Sequence, residues 1–142
     1  MRHLFFCRSA LQALLITILV AFPMRISAQA PWSVNVADYE NNGTILATVI
    51  LDGSDVTTGY LGAFVGDECR GVVEGSIFPV PGFPVTGKYV FILMCYSNVT
   101  SGEMLSFKYY DPVADAEYVI QETIEFSATM QGDASNPDVL HA

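Results

Sequence analysis

From Trp32 onward the chain alternates apolar and polar residues and breaks at short intervals on Gly, Asp, Asn and Pro. A period of two admits strands and excludes amphipathic helices, and closely spaced turns make those strands neighbours. In Thr44 to Leu51 (TILATVIL), Ile45, Ala47, Val49 and Leu51 fall on one side, after the turn dipeptide Asn42-Gly43 and before Asp52-Gly53. Trp32 to Val36 reads as an opening strand with Trp32, Val34 and Val36 together. Tyr60 to Val65 and Glu68 to Glu74 are joined by Gly66-Asp67, a two-residue hairpin loop. Lys88 to Tyr96 (KYVFILMCY) is apolar on both faces, as in a strand covered on both sides. Glu103 to Asp111 points Leu105, Phe107 and Tyr109 inward, and Ala116 to Ile120 with Thr123 to Ser127 reads as a last hairpin. The expected fold is all-β: a single antiparallel β-sandwich of about eight strands, immunoglobulin-like or jelly-roll-like.

The sandwich is expected over residues 29–130, with a polar, loosely packed tail at 131–142. Residues 1–28 read as a signal peptide. Arg2 and Arg8 precede Ala13 to Phe22 (ALLITILVAF), apolar but for Thr17, and small residues follow around Ala28. Ten residues are too few to span a hydrocarbon core of about 30 Å. The chain is therefore expected to be secreted, to the periplasm, cell surface or medium, with no stable membrane insertion after cleavage behind Ala28. Processing removes Arg2, Arg8 and Arg25. It leaves Arg70, Lys88 and Lys108 against 15 acidic residues, a net charge of −12. Such a field disfavours nucleic acid and anionic membranes and favours cationic ligands or Ca²⁺.

Chemistry-bearing residues are few. After processing, the one histidine is His141, next to last, so a nucleophile has no base at hand. Two cysteines and that histidine make no zinc set. The chain reads as a non-enzyme, with no catalytic, cofactor-binding or metal residues assigned. Ca²⁺ would find its best oxygens at Asp52 with Asp55 and at Asp111 with Asp115, which are more simply turn formers. Cys69 and Cys95 form a possible disulfide in an oxidising compartment, or two buried free thiols. Arg70 reads as structural, its planar fork bonding acceptors at a sheet edge. Abundant tyrosines suggest a sugar-stacking platform but also suit strands; adjacent Tyr109 and Tyr110 face opposite ways, so one should lie near the surface.

Gly75 to Gly87 (GSIFPVPGFPVTG) is long for a loop, and Pro79, Pro81 and Pro84 keep it out of a central strand. It reads as a stiff cover over one open end of the sandwich. Phe78 and Phe83 make it the candidate partner-binding loop.

The run Tyr60 to Val72 (YLGAFVGDECRGV) resembles the central motif of secreted β-sandwich modules of Bacteroidetes and related bacteria, AFVGxECRGV. The resemblance extends over Trp32, Val34 and Tyr39, Gly87-Lys88-Tyr89, Leu105 to Asp111, Glu122 to Phe126 and Asn136-Pro137. It implies a surface-associated module of no established activity. Such modules often stand beside a sorting domain, which this sequence lacks. Three functions remain open: a secreted binding or adhesion module for an unknown protein or glycan, a structural envelope or surface-layer subunit, and a carbohydrate-binding module.

Overall fold

A strand with one apolar face needs a second layer, and the alternation resolves into two stacked sheets. The computed structural model describes residues 28–142; apart from Ala28, the expected leader lies outside them. The first sheet holds β1 (Asn41–Leu51), β2 (Ser54–Asp55), β5 (Ser76–Ile77), β6 (Tyr89–Ser97) and β9 (Asp138–His141). The second holds β3 (Tyr60–Val65), β4 (Glu68–Glu74), β7 (Ser101–Asp111) and β8 (Ala116–Ser127), in the order β4-β3-β7-β8. Strands pair antiparallel except β9, which runs parallel to β1 with Val49 opposite Leu140. Ile45, Ala47 and Val49 of β1 meet Leu61 and Ala63 of β3, Phe91 and Leu93 of β6, and Leu105, Phe107 and Tyr109 of β7 in one core. Burying each large side chain stabilises the fold by roughly 1.5–3 kcal/mol.

Nine strands form among the described residues, and several expectations need correction. Trp32 to Val36 is not a strand. It is irregular chain leading into a 3₁₀ turn at Val36–Asp38, and Val36 is exposed. The last hairpin is one continuous strand, β8, because Gln121-Glu122 carries no turn chemistry. Residues 131–142 are no loose tail. Gln131 bridges to Thr44, β9 pairs with β1, and Leu140 is 1% exposed in the core. β6 is buried along its inner face, but its outer face is covered only at Val90: outward Ile92 and Met94 are 49% and 44% exposed. Residues 75–87 do not close an end of the sandwich. They fold over the outer face of the first sheet, where Val85 and Phe78 pack on Leu46 and Val90. Tyr109 and Tyr110 do face opposite ways, yet both are buried. Trp32 crosses the outer face of the second sheet and packs its ring edge-on against Tyr110 and Phe64. Gly62 makes room for it, since a Cβ there would stand 2.8 Å from the indole.

Candidate functional site

The hairpin β3–β4, which carries the AFVGDECRGV run, is where the two sheets are joined. Ala63 pairs with Gly71 but Phe64 pairs with Cys69, so Arg70 is the extra residue of a β-bulge. A bulge re-aims a side chain and kinks its strand. Here Arg70 and Gly71 are buried in succession, which strict alternation forbids. Gly71 lies so close to β6 that an added Cβ would collide with the Met94 carbonyl. The Arg70 side chain then crosses the seam between the sheets. Its Nη1 donates to the Tyr96 carbonyl at 3.2 Å, and Nη1 and Nη2 grip both oxygens of Glu103 at 2.9 and 3.0 Å.

The remaining contacts complete a clasp. The Ser97 hydroxyl, fully buried, donates to the same Glu103 carboxylate. Tyr39 places its ring 5.0 Å from the guanidinium carbon and donates its hydroxyl to Glu68 at 2.5 Å. Arg70 Nε faces Glu68 at 3.5 Å without hydrogen-bonding geometry, so that contact is Coulombic only. Burial disfavours the guanidinium charge, but Glu103 more than offsets this and raises its pKa. The Tyr39 phenol is pushed up to about 12 by burial and by Glu68. Arg70 thus bonds acceptors on both β6 and β7.

At the opposite seam a carboxylate does the corresponding work. The outward N–H of His141 on β9 donates to Glu122 of β8 at 2.7 Å, and the ring Nδ1 lies 2.5 Å from the other oxygen. An unpaired strand edge is thereby capped by a side chain.

Both clasp carboxyls have lowered pKa values. The Ser97 hydroxyl and then Arg70 hold Glu103 below its ordinary 4.5. Burial works against ionisation of Glu122, but the His141 amide and ring outweigh it. A carboxyl whose folded pKa lies below its unfolded one stabilises the fold above the unfolded value. That stabilisation is lost as pH falls through the folded pKa. Asp138, raised by burial, has the opposite sign. Relief of repulsion among the surface acids also opposes the loss, but at 0.15 M salt a Debye length of about 8 Å screens it. The melting temperature is expected to hold from pH 7 to about 4.5 and then fall on further acidification. A melting temperature that stays level or rises down to pH 3 would contradict this.

Other sequence candidates are placed as follows. Cys69 and Cys95 are free thiols on β4 and β6, half-buried and buried. Burial raises both pKa values, that of Cys95 to about 12, so neither is an activated nucleophile. Asp111 accepts the Val113 N–H and Asp115 accepts the Tyr110 hydroxyl, both within the β7–β8 turn. Phe78 and Phe83 meet edge to face with centroids 5.8 Å apart, but only Phe78 reaches the cluster over the sheet. Glu103, Ser97 and Glu122 carry no mark in the sequence, since no spacing ties Arg70 to a carboxylate 33 positions on. Comparison with family models, with curated proteins and with solved structures returns no match to the chain.

Proposed function

We propose that this protein is an exported, non-catalytic binding module that holds a protein partner through the cover loop, residues 75–87. One observation carries this reading: Ile77, Val80 and Phe83 are 58%, 46% and 38% exposed on a loop whose backbone is fixed. Phe78 N–H donates to the Lys88 carbonyl and Gly87 N–H to the Phe78 carbonyl. Thr86 Oγ1 accepts from the Phe83 N–H and donates to the Val80 carbonyl. Large apolar groups on a pre-ordered backbone lose little entropy on binding and are the type that anchors interfaces. The fitting partner offers a shallow apolar socket with a basic rim, because the processed chain carries a net charge of −12.

Two further points support binding over catalysis. The His141 ring is engaged with Glu122, and burial raises the pKa of both thiols, which keeps them protonated at neutral pH. Export rests on the leader, in keeping with the resemblance of the hairpin to secreted bacterial modules.

The two phenylalanines separate interface from cover. Phe83→Ser is expected to abolish partner capture with the melting temperature unchanged. Phe78→Ser is expected to lower the melting temperature by several degrees, about 4 °C per kcal/mol for a domain of this size. Capture that survives Phe83→Ser would overturn the assignment. Equal loss of stability in both variants would make the loop a cover only.

A further inference from the structure

The amino-terminal segment and the ends of β3 and β4 enclose a hollow of about 280 Å³, walled by Trp32, Tyr60 and Val72, with Gln29, Ser33 and Glu74 around it. Tyr60 and Glu74 are direct cross-strand partners, so ring and carboxylate stand on one face. Trp32 is held in place: its indole N–H donates to Glu117 at 2.8 Å and its ring packs on Phe64 and Tyr110. The Glu74 carboxylate makes no hydrogen bond or ion pair among the described residues. Among the described residues no Lys or Arg lines the hollow. Arg70 is consumed in the seam, and Lys108 sits over the Phe64 ring, 4.9 Å from its centroid.

These walls have one chemistry in common. Aromatic faces attract cations, tryptophan most strongly, and an unpaired carboxylate beside them adds a direct charge. The volume falls just short of the usual range for drug-sized ligands and suits the end of a single side chain. We propose that this hollow binds a guanidinium or ammonium group, presented by a peptide partner as an arginine or lysine side chain. The site is distinct from the cover loop and does not depend on it.

Trp32 is the sole tryptophan, so its emission reports on this site alone. Titrating the purified protein with N-acetylarginine amide is expected to give a saturable emission change at about millimolar concentration. N-acetylcitrulline amide, of the same shape without the charge, should give none. Glu74→Gln, at an exposed position, should keep the melting temperature and weaken the arginine probe about fivefold, the upper end for a solvent-facing ion pair. No response to the arginine probe, an equal response to citrulline, or a response that Glu74→Gln leaves unchanged would each overturn the proposal. A saturable response to cellobiose, indifferent to Glu74→Gln, would assign the hollow to a sugar instead.

Discussion

Deletion of residues 131–142 is expected to unfold the domain. The segment holds β9, whose pairing with β1 runs from Ala47–Asp138 to Ile50–His141, and Ala142 N–H extends it to the Ile50 carbonyl at 2.9 Å. Leu140 fills the core between the sheets, and Ala134 packs on the Leu46 cluster. Emptying a buried leucine site alone costs about 2–5 kcal/mol, and each lost backbone bond adds about 1 kcal/mol. Against a total stability of about 5–15 kcal/mol, these losses leave little. A chain ending at Met130 should show no cooperative melt by circular dichroism, and Leu140→Ala should melt at least 8 °C lower, at about 4 °C per kcal/mol. A truncated chain melting within a few degrees of the full one would restore the view of a dispensable tail.

Arg70→Met is expected to cost about 3 kcal/mol, the low end for breaking a buried pair because Glu103 keeps some contact with water. The side chains of Arg70 and Glu103 are 9% and 27% exposed. The loss strands the Glu103 carboxylate and leaves the Tyr96 carbonyl without its donor. Arg70→Lys should recover only part of the loss, because an ammonium cannot grip both Glu103 oxygens and the carbonyl in one plane. Thermal melts should order as wild type, lysine, methionine. Equal melting for the wild type and the methionine variant would remove the clasp from the account.

What could be read in advance follows from period two. Ile45, Ala47, Val49, Leu105, Phe107 and Tyr109 all point inward as alternation requires, and the Gly66-Asp67 turn joins β3 and β4 with Val65 opposite Glu68. Features set by a single extra residue or by remote chain were not legible. The bulge at Arg70 leaves no mark on a pattern of letters, and its partner Glu103 arrives from another strand. β9 has four residues and one apolar anchor, Leu140, too short to show a period. Tyr110 is buried because Trp32, far back in the chain, folds over it. Ile92 and Met94 stay exposed because the cover loop reaches only Val90. The candidate loop was visible through its prolines. The separation of Phe78 from Phe83 was not, since it depends on which ring finds the outer face of the sheet.

Whether Arg70 and Glu103, both on the second sheet, act as one unit where they meet Tyr96 and Ser97 of the first is decided by a double-mutant cycle. Arg70→Met, Glu103→Ala and the pair together are compared by denaturant unfolding. Side chains in direct contact couple by about 0.5–3 kcal/mol, and a bidentate, largely buried pair belongs near 2 kcal/mol. A coupling of that size is the predicted result. Losses that add to within about 0.5 kcal/mol would mean that Arg70 and Glu103 do not act as one unit in the clasp.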